Sequence, residues 1–298
     1  MAGPGGYTTT GVLADSLDDV RSSARVQREY MPVMAKLVDT TRLREGIGVD
    51  WKEVLLNRLT AYNIDELTDL QQSPQEIVDS TFSIRPIQMG ISVIVTSRAK
   101  ARINKLVVSK LGVGIERAMA RKKDKDLIAV AQSASTDLGT AGQPMESGFV
   151  SAAVARIAGN TTEPWDGPTA TVLHPFQKKD IQDEIVAGIG TYTVPVGLSA
   201  DVFLRGFSGG TLYDSAMWVD GNIPINSSDD ATGFTFGSGT GGAIVHVEGM
   251  ESEYSTKMLD TIGHRGAELM WATDEYGNGI RQQVWLYSYT TDAASPVN

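Results

Sequence analysis

Residues 97–133, SRAKARINKLVVSKLGVGIERAMARKKDKDLIAVAQS, are the longest stretch of the sequence that reads as a single amphipathic helix. At about 100° per residue, Ile103, Val107, Leu111, Ile115 and Ala118 share one face, and Arg98, Arg102 and Lys105 share the opposite one. Unbroken, such a helix reaches roughly 50 Å, more than a compact domain of this size needs to cover its own core. Its charge sets it apart. Ten Lys and Arg against two acidic residues lie between Arg98 and Lys125, while the rest of the 298-residue chain carries 16 basic and 34 acidic side chains. The stretch is a basic rod in an acidic protein, and its charged face either meets solvent or awaits a partner of opposite sign.

The remaining composition narrows the classes available. A chain of this length folds as one large domain or two modest ones and buries about three quarters of its unfolded surface. Cysteine is absent, which excludes disulfides, thiolate catalysis and Cys-based zinc or iron–sulfur sites, and suits a protein made in a reducing cytoplasm. The N-terminus, MAGPGGYTTTGVLADSLDDV, has neither a basic n-region nor an apolar h-region, and no apolar run approaches bilayer length, so a soluble protein without a membrane partner is expected. A net charge of −10 argues against affinity for nucleic acid over the whole surface but leaves room for a local basic patch.

Upstream of the basic stretch, residues 1 to about 50 read as an arm. A Gly-, Pro- and Thr-rich leader precedes a short amphipathic helix carrying Leu13, Leu17, Val20 and Ala24, which has no partner nearby in sequence. The pattern in WKEVLLNRLTAY predicts a helix with Val54, Leu55, Leu59 and Tyr62 on one side, and residues 63–72 a second one ending before Pro74. FSIRPIQMG and ISVIVTS then predict two strands separated at a Met-Gly step and leading into the basic helix. Downstream, a loop leads to a helix from Phe149 to about Ile157 with a left-handed stop at Gly159. A buried strand in GPTATVLHP and a helix in FQKKDIQDEIVAG follow. Turns and short strands are expected over 190–225, a tip-like loop over 226–242, strands in GAIVHVEG and IRQQVWLYSYT, and a hairpin turn at Asn278–Gly279.

Few residues suggest chemistry. Gly206-Phe207-Ser208-Gly209-Gly210 fits the G-x-S-x-G nucleophile elbow, and Asp220 with His246 or His264 follows Ser208 in the chain order of a triad. The long helix that an elbow requires is missing from TLYDSAMWVDG, so a serine hydrolase is a disfavoured alternative. Residues 237–242, GSGTGG, satisfy G-x-G-x-x-G but precede a strand instead of a helix, which argues for a flexible loop over a dinucleotide site. His174, His246 and His264 have no companion at metal-ligand spacing, and Asp229–Asp230 lies in a polar context, so no catalytic residue, metal or cofactor is assigned.

The order of these segments resembles the tailed-bacteriophage major capsid proteins of the Hong Kong 97-like fold family. FSIRPIQMGISVIVTSRA resembles the strand pair entering the family's spine helix, and ARKKDKDLIAV resembles the end of that helix. TVLHPFQKKDI is similar to the strand and helix after the spine, and ELMWATDEYGNGI to the closing strand and turn. The resemblance implies an α+β capsid fold with an N-terminal arm at 1–50 and an extended E-loop with lead-in strands at 51–97. It further implies a peripheral domain at 98–164 with the spine helix at 98–133, an axial domain at 165–245, and closing peripheral strands at 246–298.

On the same basis the expected role is structural and not enzymatic: a shell subunit that forms hexamers and pentamers around double-stranded DNA in a virion made in the host cytoplasm. A portal, a separate scaffolding protein and a cement protein are the further partners implied. A cellular nanocompartment shell of the same fold is the nearest alternative. The stripe Arg98, Arg102, Lys105 is then a candidate for phosphate contacts or for pairing with Asp18, Asp19, Glu251 or Glu253 of a neighbouring subunit.

Overall fold

The computed structural model describes residues 7–8, 29–44, 48–61, 63, 75–102, 105–189, 210–259 and 266–296. The basic stretch is helical as expected, in α1 (Ser97–Arg102) and α2 (Lys105–Gln132). Entry is capped by the Thr96 hydroxyl, which accepts the Ala99 N–H at 3.2 Å. The strands in chain order are β1 (Tyr7–Thr8), β2 (Asp39–Arg42), β3 (Trp51–Leu56), β4 (Asp79–Ile84), β5 (Ile87–Thr96), β6 (Thr169–Leu173), β7 (Thr211–Leu212), β8 (Ser215–Val219), β9 (Asp230–Gly237), β10 (Ile244–Glu248), β11 (Glu253–Leu259), β12 (Ala267–Ile280) and β13 (Leu286–Asp292). Two further helices, α3 (Ser147–Ala158) and α4 (Pro175–Ile189), lie between α2 and β7.

The strands make a six-stranded sheet, β1-β5-β12-β10-β2 with β11 beside β12, a five-stranded sheet, β13-β9-β6-β8-β7, and the separate hairpin β3-β4. Helix α2 ties the two large sheets together. Its Ile115 and Met119 pack against Met89, Ile91, Val93, Met270 and Ala272 of β5 and β12. Two turns further on, Leu127, Ile128 and Ala131 enter the main core with Phe234, Phe236 and Leu286 of the five-stranded sheet. Of the apolar face read from the sequence, Ile115 is buried and Leu111 and Ala118 are half-buried, while the side chains of Ile103 and Val107 lie outside the described residues. The opposite face of the five-stranded sheet is covered by Val150, Ala153 and Ile157 of α3 and Ile181 of α4.

Several expectations are corrected. Residues 51–56 are strand β3, paired antiparallel with β4 from Trp51↔Ile84 to Leu56↔Asp79, and not the start of a helix. A helix there would have nothing to bury its apolar face against, whereas in the hairpin Trp51, Phe82 and Ile84 pack on Val245 and Val247. The second helix of that prediction, along with the one at Leu13 to Ala24, lies outside the described residues. The Met89-Gly90 step sits inside β5, and the break falls at Arg85-Pro86, where proline removes a ladder N–H. Gly90 instead permits close approach, since a Cβ there would lie 3.2 Å from the Ala272 carbonyl oxygen.

Asn278–Gly279 is likewise internal to β12, paired with His246 and Val245, and a Cβ at Gly279 would meet Phe82 and Ile84 of the hairpin at about 2.9–3.0 Å. Gly159 ends α3 without a left-handed conformation, at φ −89°, by donating its N–H to the Ala155 carbonyl at 2.8 Å. The last part of the expected arm belongs to the body: Met34, Leu37 and Val38 are buried in the main core, and β2 runs parallel to β10.

The largest revision concerns 226–242. Its polar composition suggests a loop, yet β9 is an interior strand of the five-stranded sheet, between β13 and β6, with Phe234 and Phe236 fully buried. The polar partners make this affordable: Thr235 accepts the Tyr289 hydroxyl proton at 2.7 Å and lies 2.6 Å from the Thr171 hydroxyl, which is itself 2.8 Å from Ser215. The GSGTGG segment after β9 is an ordered crossover to the six-stranded sheet, with Gly239 and Gly241 at φ +85° and +79°. It clasps the Leu37–Asp39 segment through Gly239 N–H to the Leu37 carbonyl and Gly241 N–H to Asp39 Oδ2.

Candidate assembly surface

Among the described residues, the hairpin β3-β4 is fastened to the body near its foot. Arg281, at the end of β12, donates from Nε to Glu53 Oε2 at 2.8 Å and from Nη2 to Asp39 Oδ2 at 2.7 Å, with Nη1 on the Gly242 carbonyl. Burial opposes its charge, but the two carboxylates outweigh that and raise its proton affinity. Beyond the foot, a cleft of about 320 Å³ lined by Glu53, Leu55, Phe82, Arg281 and Trp285 separates the hairpin from the body.

Further out the two chains continue side by side through Asn57 with Val78 and Thr60 with Gln75. On this projection Val54, Leu55, Leu56, Leu59, Ile77 and Val78 are each more than half exposed. A folded chain rarely leaves so many neighbouring large apolar side chains in water unless a partner covers them.

The charges of the basic helix divide along its length. In the KKDKD segment every charge but one is used inside the chain. Lys123 pairs with Asp274 at 2.6 Å and lies over the Tyr276 ring, Lys122 pairs with Asp126 at 2.6 Å, and Asp126 accepts the Tyr276 hydroxyl at 2.6 Å. Burial and that carboxylate push the Tyr276 hydroxyl well above its ordinary value. Asp124 is fully buried and accepts the Val33 and Met34 N–H groups at 2.9 and 3.0 Å. Lys125 is exposed.

At the other end, Lys100 pairs with Glu268, while Arg98 and Arg102 are exposed and form no ion pair among the described residues. Lys105 opens α2. Glu251, a candidate partner for this stripe, pairs with Arg42 of its own chain at 2.7 Å, and Glu253 is exposed on β11.

The residues singled out for chemistry form no metal-ligating cluster among those described. Ser208 and His264 lie outside the described residues. Asp220 is buried beside Asp124, whereas His246 is buried on β10, with Nδ1 2.6 Å from Asn278 Oδ1. His174 is buried at the end of β6, which lowers its proton affinity. No cluster of three or more His, Asp or Glu side chains able to hold a metal occurs among the described residues.

No protein-family model matches the sequence, and no curated protein matches it. Solved structures do. The capsid of cyanophage Pam1 superposes with a TM-score of 0.70 at 10% identity, covering 99% of this chain and 100% of that one. The chain has the Hong Kong 97-like capsid fold. The capsid of Ralstonia phage GP4 gives 0.68 at 12% identity over 94% of this chain and 96% of that one, and the capsid of cyanophage P-SCSP1u gives 0.67 at 12% over 96% of each. At such identities the shared property is the path of the backbone.

Sequence reasoning passed over the Arg281–Glu53–Asp39 foot and the buried Asp124. The available signals were the apolar residues on both alternating faces of WKEVLL, unlike a strand resting on its own core, and an Asp set among lysines where an all-exposed face needs none.

Proposed function

We propose that this chain is the structural subunit of an icosahedral virus shell, assembling as hexamers and pentamers that enclose double-stranded DNA. The observation that carries the reading is the β3-β4 projection: six large apolar side chains exposed on a hairpin held at its foot, within a capsid fold. Copies related by rotation can bury such a projection in heterologous contacts, and rotations that close produce rings and shells. On this reading the hairpin is the E-loop, and residues before about 33 form the arm. The six-stranded sheet with the body of α2 is the peripheral domain. The five-stranded sheet with α3 and α4 is the axial domain, including β13 from the last stretch of the chain. The role is structural and not catalytic, its place is the virion, and a portal and a separate scaffolding protein are the expected partners, with a cement protein as a further candidate.

Arg98, Arg102 and Lys105 are the residues proposed to face DNA, through phosphate contacts that carry no sequence information. Purified protein examined by size-exclusion chromatography and negative-stain microscopy tests the assembly claim, and the contents of the particles test the rest. Particles that hold DNA when produced with the packaging machinery support the viral reading. Small uniform particles that hold a protein cargo instead point to a cellular nanocompartment.

A further inference from the structure

The buried carboxylates Asp124 and Asp220 meet where three parts of the chain converge. Asp124, 0% exposed, projects from the middle of α2, and Asp220, 1% exposed, lies in the link from β8 to β9. Asp124 accepts at both oxygens: Oδ1 takes the N–H groups of Val33 and Met34, and Oδ2 takes the Asn222 side-chain amide at 2.9 Å, which leaves Oδ2 room for one more donor. Asp220 Oδ1 accepts the Asn222 backbone N–H at 2.8 Å, while its Oδ2 is buried without a hydrogen-bond partner. A buried, unpaired carboxylate oxygen is costly, and beside a second carboxylate it is costlier still. A single proton on Asp220 Oδ2, donated toward Asp124, removes both penalties.

The surroundings offer no other remedy. From α2 the nearby Arg121 is paired with Glu29 at 3.1 Å, and among the described residues no Lys or Arg forms an ion pair with either aspartate. From β6 the Leu173 carbonyl accepts the Asp220 N–H at 3.0 Å, and the following residue is the buried His174, whose Nδ1 accepts the Phe176 N–H. From the N-terminal segment the Tyr30 ring lies against Gly221, so that segment and the β8–β9 link are pressed together over the helix.

We propose that Asp220 and Asp124 form a one-proton clasp joining the β8–β9 link and the Glu29–Val38 segment to α2, and that loss of the proton opens this joint. Burial, followed by the bond to Asp124, raises the Asp220 carboxyl from 3.8 to about 7. The group therefore binds its proton more tightly folded than unfolded. Its contribution is complete below about pH 4, declines above that, and is gone once the pH has risen through about 7. The joint lies between the five-stranded sheet, which owns the link, and the segment that leads into β2 of the six-stranded sheet, so its opening frees one sheet to move relative to the root of the arm.

Hydrogen exchange read by mass spectrometry on the full chain, from pH 5.5 to 8.5 and corrected for intrinsic rates, tests the clasp. Asp220→Asn supplies a neutral donor of the same shape. In the parent protein, protection of peptides covering 29–38 and 219–224 is expected to fall at least ten-fold between pH 5.5 and about 7 and to level off above that, while β6 peptides stay protected and Asp220→Asn shows no such fall. Equal pH profiles for the two proteins overturn the proposal. If Asp220→Asn does not fold, the parent profile decides: a fall confined to those two peptides supports the clasp, and unchanged protection from pH 5.5 to 8.5 removes it.

Discussion

Strand β9 and the hairpin strand β3 exchange the environments that their compositions suggest. DATGFTFG, rich in Gly and Thr, is buried along nearly its whole length as an interior strand of a sheet. WKEVLL, rich in large apolar residues, has its last three side chains more than half exposed. The first finds neighbours within the chain: Thr235 is satisfied by Tyr289 and Thr171, and a Cβ at Gly233 would come within 2.5 Å of Leu173. Among the described residues, the second finds its neighbours in the body at its foot. Burial follows from which surfaces the fold brings together, and an apolar surface that the fold leaves uncovered is a candidate contact for a further chain.

Substitutions separate the two regions by what each one damages. Phe234→Ala empties a fully buried position in β9, and a loss of about 3–5 kcal/mol in the stability of the chain itself is expected from chemical denaturation. Arg281→Met removes the tie between hairpin and body and strands the nearly buried Asp39, for which about 2 kcal/mol is expected. Its distinguishing sign is faster proteolytic cleavage near residues 51–84, with the five-stranded sheet still protected. Val54→Asp with Leu56→Asp should leave chain stability within about 0.5 kcal/mol of the parent, because neither side chain is buried in the monomer. That pair should nonetheless abolish assembly, and normal particles from it would deny the hairpin its role.

Arg98→Gln with Arg102→Gln should change chain stability least, since both are exposed and unpaired among the described residues. Particles that form normally but contain less DNA support the phosphate role. Failure to assemble assigns the stripe to a neighbouring subunit instead.

The parts of the fold legible in the sequence are those whose partners are periodic and local. Residues 97–133 show their helical period, Thr169–Leu173 and Ile244–Glu248 are apolar runs bounded by turns, and the order of these elements was enough to suggest the capsid fold. The misread parts depend on distant partners. Trp51–Leu56 has a spacing that suits a helix and becomes a strand because Phe82 and Ile84 pair with it and Val245 and Val247 receive its foot. Asn278–Gly279 has turn chemistry, but the glycine is there to let the hairpin sit on β12. Of the candidate stripe, the exposure of Arg98 and Arg102 was foreseeable from helix geometry. The consumption of Lys123 was not, because Asp274 and Tyr276 approach from about 150 residues away.

On the proposed function, other copies of the same chain cover the exposed hairpin. Negative-stain microscopy of the purified protein, beside Val54→Asp with Leu56→Asp, tests it most directly. Ring-shaped capsomers or closed shells from the parent chain, and none from the folded variant, are predicted. A folded parent chain that remains a discrete species of a few copies, with neither capsomers nor shells, contradicts the account.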